Sequence, residues 1–183
     1  MIKQSELKAV CKESLALIVA SGIPINEADR AKITAADFGL SRLRQEGIQI
    51  LTMYETDRAA GKILVLLPYQ TEPEHWHPSQ GDNPGKEEII RAVSGDLYFY
   101  VEGEDNMSKG FIPEGKEHCY TLRHEIDLKP GDQLVFPPDT PHWFQAGPRG
   151  AVMFSFSTKV VDNMDGFTDP DIQRETVIVD DGL

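Results

Sequence analysis

The N-terminal part of the chain carries apolar residues at roughly helical spacing. A period near 3.6 residues is typical of a helix with one buried face. Within residues 5–20, the apolar residues that recur with about this period are Leu7, Val10, Cys11, Leu15 and Ile18. Ser5 is the candidate N-cap, and a glycine and a proline follow the helix. Residues 26–46 are Ala-rich and charged, and they predict a second, weaker helix that is broken at Gly39. We expect residues 1–46 to form a helical layer that covers a sheet edge or builds a dimer contact.

From residue 48 onward the pattern changes to short runs rich in β-branched and aromatic residues. The predicted strands are residues 48–54, 61–68, 89–93, 97–101, 118–122, 133–136, 142–145 and 151–157. Turn signals rich in Gly, Pro and Asp separate them. Many short strands at this spacing indicate an all-β sandwich or barrel. We expect one domain, with the β-barrel at 47–161 and an acidic tail at 162–183 that is either disordered or packed near the barrel mouth.

Composition and charge narrow the class of partner. Hydrophobic residues make up 40% of the 183 residues and charged residues 26%, which is ordinary for a soluble globular protein. The formal net charge of −12 and the pI near 4.8 argue against nucleic acid and against anionic membrane surfaces as partners. The two cysteines, Cys11 and Cys119, form no CxxC motif, so we expect free thiols in a reducing compartment. With no signal-peptide pattern, we expect a cytoplasmic protein that acts on a small polar or neutral substrate.

Candidate metal ligands occur in two places. His75 and His77 are two residues apart, so on an extended chain both imidazoles point to one face and can share a metal ion. Either Glu87 or Glu88 adds a carboxylate oxygen, and His142 offers a further imidazole. Nitrogen and oxygen ligands of this kind suit Mn, Fe, Ni, Co or Zn better than Ca.

These residues resemble the two motifs of the cupin superfamily. The first motif is matched by His75-x-His77, a spacer and Glu88-x6-Gly95, and the second by Gly131-x5-Pro137 and His142. The resemblance implies a small antiparallel β-barrel with one metal ion held by His75, His77, Glu88 and His142. Strand alternation agrees, since it separates Glu88 from Glu87 and places it with Ile90 and Ala92. The sequence departs from the general pattern in its ten-residue spacer between His77 and Glu88, and in Asp139 and Ala146, which replace a Gly and an Asn of the second motif.

Longer matches resemble one group of cupins, the D-lyxose isomerases. They comprise residues 37–40, 57–58, 75–78, 85–88, 97–103, 131–132, 137–147 and 167–170, and the long spacer is itself expected in short-chain members of this family. The resemblance implies an isomerase that interconverts D-lyxose and D-xylulose, with D-mannose and D-fructose as a second pair. It also implies Mn²⁺ as the cofactor, with Co²⁺, Zn²⁺ or Fe²⁺ as alternatives, and a homodimer.

The chemistry that this family performs suggests roles for further residues. Four protein ligands leave an octahedral ion two adjacent positions, which O1 and O2 of an open-chain sugar can fill. A base then removes the C2 proton, a cis-enediol forms and C1 is protonated, unless a hydride shift takes place instead. The candidate proton-transfer groups are Lys86, which should face the same way as Glu88, Glu88 itself, and Asp169 if the tail is swung over the barrel mouth.

Two other functions use a comparable site. One is an oxygenase of the acireductone dioxygenase type, whose spacer between the His pair and the Glu is short. The other is a cupin that binds a sugar without turning it over. Oxygen uptake with Fe²⁺ distinguishes the first alternative, and turnover of any aldose–ketose pair removes the second.

Overall fold

The computed structural model describes residues 1–159 and 164–182. It confirms the N-terminal helix, α1, at Gln4–Ala20. The buried side of α1 includes Val10 and Ile18, and Ile18 packs with Val65 and Val152 against the outer face of the sheet. The predicted N-cap is wrong, since Lys3 occupies that position without a side-chain hydrogen bond to the helix. Burial of the apolar face, rather than capping, therefore stabilises this helix.

The second predicted helix is much shorter than residues 26–46. Only Glu27–Arg30 is helical (α2), and the chain then forms a short strand, Thr34–Ala36 (β2), at the edge of the sheet. A turn follows in which the Asp37 carboxylate accepts the backbone N–H groups of Gly39 and Ser41. Turn chemistry of this kind outweighs the helix propensity of the alanines, because it satisfies backbone donors in a non-helical conformation.

Most of the remaining described residues form one curled antiparallel sheet of nine strands, which confirms the prediction of a mainly β chain. A two-residue strand, Ile2–Lys3 (β1), precedes α1, and the later strands are Ile48–Glu55 (β3), Ala59–Leu66 (β4), Thr71–Trp76 (β5), Glu88–Val101 (β6), His124–Leu128 (β7), Gln133–Phe136 (β8), His142–Thr158 (β9), Gly166–Phe167 (β10) and Ile178–Val179 (β11). Two pairs of predicted strands are continuous, because 89–93 joins 97–101 in β6 and 142–145 joins 151–157 in β9.

The strand predicted at 118–122 is wrong. The strand that pairs with the end of β6 is β7, which begins at His124. Cys119 and Tyr120 are buried, but the backbone N–H groups of Thr121 and Leu122 donate to the carboxylate of Glu74 instead of to a neighbouring strand. A burial pattern alone did not distinguish this loop from a strand.

The long strand β9 lies at the centre of the sheet and sets the positions around the site. Its first half pairs with β5 and with the end of β6, and its second half pairs with β4 and with the start of β6. His75 on β5 lies directly opposite His142 on β9 in this register. The main apolar cluster fills the inside of the curl and includes Leu64, Ile90, Phe99 and Phe144.

The C-terminal segment folds back onto the sheet. β10 pairs antiparallel with β5, so that Phe167 lies opposite His75, and β11 pairs parallel with β1. The predicted boundary between barrel and tail, at residues 161 and 162, lies outside the described residues. Among residues 1–159 and 164–182, no helix combines the length and apolarity needed to cross a bilayer.

Candidate metal centre and substrate cavity

Four of the residues singled out from the sequence meet inside the curl of the sheet. His75, His77, Glu88 and His142 are all buried, and each places one ligand atom within 4.8 Å of those of the other three. Strands β5, β6 and β9 carry three of them, and His77 directly follows the last residue of β5. The imidazole centroids lie 4.4 Å apart for His75 and His142, and 5.1 Å apart for His75 and His77. The sequence-predicted ligand set is thus brought together by strand pairing.

Local backbone geometry orients two of these imidazoles. Nδ1 of His75 lies 2.8 Å from the carbonyl oxygen of Pro73, and Nδ1 of His142 lies 2.9 Å from that of Thr140. A carbonyl oxygen can only accept, so each Nδ1 carries the proton and each Nε2 is left with its lone pair. Nε2 of His142 is buried and has no hydrogen-bond partner among the described residues. Burial lowers the pKa of His142 to about 4 and, together with the positive charge of its neighbours, lowers that of His75 well below its usual value. Neutral imidazoles with converging lone pairs fit a divalent metal ion.

The other two candidate ligands contact each other. Nε2 of His77 lies 3.0 Å from Oε2 of Glu88, and Ser155 donates its hydroxyl to the other oxygen of the same carboxylate. Burial acts to raise the pKa of Glu88, but the charge of Lys86 and the bonds to His77 and Ser155 outweigh it and hold that pKa well below the usual range. Glu88 is therefore an ionised carboxylate, which is the form that binds a metal ion.

A cavity of about 320 Å³ opens over these residues. This volume is near the lower end of the range for small-molecule sites. Apolar side chains such as Phe38, Ile50, Leu64 and Phe144 form much of the wall. Besides candidate ligands, polar and charged side chains also face the cavity, and they are Lys62, Glu72, Lys86, Ser155, Asp165 and Arg174. A small molecule with several hydroxyl groups fits a cavity with this mixture of surfaces.

The structure separates the two other sequence-predicted catalytic residues. Lys86 lines the cavity, and its Nζ lies 3.4 Å from Oε2 of Glu88, on the side that strand parity indicates. Asp169 is buried elsewhere, where its carboxylate lies 2.6 Å from Nζ of Lys116, and it is not among the residues that line the cavity. A catalytic role for Asp169 stays a prediction.

Glu72 is a cavity residue that sequence reasoning missed. Its Oε1 lies 4.0 Å from Nε2 of His75, and its Oε2 is buried without a hydrogen-bond partner among the described residues. Burial and the negative charge of Glu88 raise the pKa of Glu72 to about 8. In a regular strand a residue three positions before His75 would face the other side, but the pairing of β5 with β9 is irregular between Glu72 and His75. Pro73 between them is the one signal in the sequence that a bulge interrupts the alternation.

Comparisons with known proteins agree with this geometry. The chain matches no protein-family model. It is 46% identical over 159 residues to the D-lyxose ketol-isomerase of Cohnella laeviribosi, and this alignment covers 86% of this chain and 87% of that protein. It is 42% identical over 181 residues to the D-lyxose/D-mannose isomerase of Thermosediminibacter oceani, with 98% of this chain and 100% of that protein covered.

Among solved structures, the L-ribose isomerase of Cellulomonas parahominis superimposes with a TM-score of 0.80 at 16% identity, over 97% of this chain and 98% of that one. At this identity the likeness shows the fold alone, and it confirms the mainly β, cupin-type architecture. Family membership rests instead on the curated relatives, whose identity to this chain extends over most of its length. The chain belongs to the D-lyxose ketol-isomerase family, whose members are aldose–ketose isomerases.

Proposed function

We propose that this protein is a metal-dependent isomerase that interconverts D-lyxose and D-xylulose, with D-mannose and D-fructose as a second pair of substrates. The observation that carries this proposal is the buried group of three imidazoles and one carboxylate beside a small polar cavity, in a chain 46% identical to a D-lyxose ketol-isomerase. The second pair is supported by the relative named D-lyxose/D-mannose isomerase.

His75, His77, Glu88 and His142 are the proposed metal ligands, and the unpartnered Nε2 of His142 supports this assignment. Mn²⁺ is the proposed ion, with Co²⁺, Zn²⁺ or Fe²⁺ as alternatives, since the donor set suits all four. When bound, such an ion supplies a Lewis acid that polarises the carbonyl of the open-chain sugar.

The chain's own residues then account for the proton movements. Glu72 is proposed to take the C2 proton as the C1–C2 double bond of a cis-enediol forms, and to return a proton to C1; its unpartnered carboxylate oxygen and its place in the cavity support this role. Lys86 is proposed to donate a proton to O1 as that oxygen gains negative charge and to take up the proton that the O2 hydroxyl loses as the C2 carbonyl forms, because its ammonium group faces the cavity beside Glu88. Glu88 is assigned the role of a ligand, and a proton-transfer role for Asp169, whose carboxylate lies 2.6 Å from Nζ of Lys116, stays a prediction.

The first test is a metal-restoration assay. The protein is stripped with EDTA, Mn²⁺ is added back, and conversion of D-lyxose to D-xylulose is followed. Activity that returns with Mn²⁺, and that His77→Ala lacks under the same conditions, is the expected result. A folded, metal-loaded protein that converts none of a panel of aldoses would overturn the proposal, and oxygen uptake with Fe²⁺ would then favour the dioxygenase alternative.

A second assay distinguishes proton transfer from a hydride shift. D-Lyxose is converted in D₂O and the D-xylulose is examined by NMR. Deuterium at C1 is expected, because a proton held by a side chain exchanges with solvent. Complete retention of the substrate hydrogen at C1 would favour the hydride shift and remove the proton-transfer role of Glu72.

The proposed assembly is a homodimer, as the resemblance to the isomerase family implies, and the proposed compartment is the cytoplasm. Two free cysteines, Cys11 and Cys119, are compatible with a reducing environment. Light scattering coupled to size-exclusion chromatography tests the dimer, since a single species at the mass of one 20.4 kDa chain would refute it.

A further inference from the structure

The three candidate imidazole ligands differ in how their outer nitrogen is held. For His75 and His142 the partner is a backbone carbonyl two residues earlier in the chain. For His77 the partner is the carboxylate of Asp165, whose Oδ1 lies 2.8 Å from Nδ1 although the two residues are 88 positions apart. A local carbonyl is present whenever the strand forms, whereas Asp165 reaches His77 only when the C-terminal segment is docked.

Asp165 is itself held in place by the same segment. Nη2 of Arg174 lies 2.6 Å from Oδ2 of Asp165, and the guanidinium carbon lies 5.5 Å from the ring centroid of Phe167. The ring of Phe167 in turn lies 6.0 Å from that of His75. Asp165 is only 11% exposed and its pairing partner Arg174 only 26% exposed, so water screens this pair little. Each oxygen of the Asp165 carboxylate thus has a defined partner, one on the metal centre and one on the segment.

From this arrangement we propose that Asp165 is a positioning residue for the metal centre, that Arg174 fixes Asp165, and that metal retention therefore depends on the docked C-terminal segment. The Asp165 carboxylate accepts the Nδ1 proton of His77 and fixes the plane of the ring, with Nε2 held 3.0 Å from Oε2 of Glu88. Nε2 is therefore the nitrogen that would lose its proton and bind the metal ion. The inference rests on the proposed function only in assuming that these ligands hold a metal ion.

The test measures metal affinity instead of turnover. The apo protein is titrated with Co²⁺, whose visible absorption reports binding, and with Mn²⁺, whose free ion is counted by electron paramagnetic resonance. Asp165→Asn keeps the size of the side chain but removes its charge, and we expect it to bind both ions about 10- to 100-fold more weakly than the wild type. Asp165→Glu keeps the charge and should recover part of the loss.

Matched variants separate positioning from general damage. Asp171 lies in the same segment, its side chain is 77% exposed, and its carboxylate pairs with Lys116 at 3.3 Å. Asp171→Asn should therefore bind metal like the wild type. Arg174→Gln should weaken binding several-fold by itself. Combined with Asp165→Asn it should add little, since both changes act through one carboxylate.

The outcomes are distinct. Wild-type affinity in a folded Asp165→Asn protein overturns the inference. If Asp165→Asn does not fold, Arg174→Gln decides, and unchanged metal affinity in that variant overturns it equally. A wild-type protein that binds no divalent metal refutes the inference and the proposed metal centre together. A protein that binds metal in the expected order but isomerises no sugar leaves the inference standing and refutes the proposed function alone.

Discussion

Glu74, the residue directly before the candidate ligand His75 on β5, anchors the back of the metal site. The carboxylate of Glu74 accepts the backbone N–H groups of Thr121 and Leu122 at 2.6 and 3.0 Å, and the hydroxyl groups of Thr121 and Thr168 at 2.8 and 2.7 Å. It points to the opposite face from His75, as strand alternation requires. Glu74 thus ties the loop after β6 and the C-terminal segment to the strand that carries the ligands.

Removing this carboxylate should be costly. In Glu74→Ala the two hydroxyl groups can rotate toward other acceptors, but the two backbone donors cannot, and each orphaned buried donor costs about 1–3 kcal/mol. Because the donors are only partly buried, we expect a loss in the lower half of that range, about 2–4 kcal/mol in all, out of a total stability on the order of 5–15 kcal/mol. Glu74→Gln should lose much less, because both backbone donors bond to the same oxygen, Oε2, and the amide oxygen can take that place. The NH₂ group then faces the hydroxyl groups of Thr121 and Thr168, which can rotate to accept from it.

The assay is urea unfolding of the metal-stripped protein, followed by the fluorescence of Trp76 and Trp143. Stripping the metal removes the contribution of ligand binding to apparent stability. Glu87→Ala is the matched control, since this glutamate is exposed and should change the free energy of unfolding by less than about 0.5 kcal/mol. A Glu74→Ala protein whose unfolding free energy equals that of the control would show that these hydrogen bonds contribute no net stability and would refute the reasoning.

Three further predictions concern two cavity residues and one glycine within β6. Lys86→Ala should keep its metal but lose about 100-fold or more in kcat, and an unchanged kcat would make Lys86 a solvated side chain. Glu72→Gln keeps its volume and should likewise lose about 100-fold in kcat at unchanged metal content; full activity would exclude it from proton transfer. Gly95→Ala should lower the Tm, because Gly95 has φ +89° and an added Cβ would lie 2.0 Å from the carbonyl oxygen of Gly150. The loss in free energy of unfolding should be about 1–3 kcal/mol or more. Gly131→Ala should lose less, because Gly131 has φ +98° but an added Cβ there would meet nothing within 4 Å. Equal Tm values for the two variants would contradict this reasoning.

Much of the metal centre was predictable because it depends on the alternation of side chains along strands and on a spacing of His and Glu residues that is characteristic of one family. His75, Glu88 and His142 lie on paired strands, so their side chains converge once the strands pair in register. Glu88 rather than Glu87 lies in the site because parity places it on the inner face. Regular alternation would place Glu72 on the opposite face of β5 from His75, outside the cavity. The irregularity between these two residues brings Glu72 to the same face, and alternation alone therefore missed it.

Asp165 could not be predicted, because its contact with His77 joins residues 88 positions apart and requires the C-terminal segment to fold onto β5. The strand expected at 118–122 failed for a related reason. The backbone N–H groups of Thr121 and Leu122 donate to the Glu74 carboxylate, a side chain that the local sequence does not contain. Both errors arise where a distant carboxylate replaces the local partner that a regular element would supply.

Among the three imidazoles of the site, the one with a carboxylate partner at its outer nitrogen is the one outside the strands. His75 lies within β5, and its position is fixed on one side by the ladder with β9 and on the other by β10. Glu88 begins β6 and is fixed by pairing with Phe136 and Ser157. His77 follows the last residue of β5, so no strand ladder fixes its ring, and it is the imidazole of the site that receives a carboxylate partner. A charged acceptor gives a stronger and more directional hydrogen bond than a carbonyl. The strongest hydrogen bond to an outer imidazole nitrogen is thus made at His77, the candidate ligand whose backbone is not part of a strand. This is the arrangement expected if the positions of all four ligands must be fixed relative to one another.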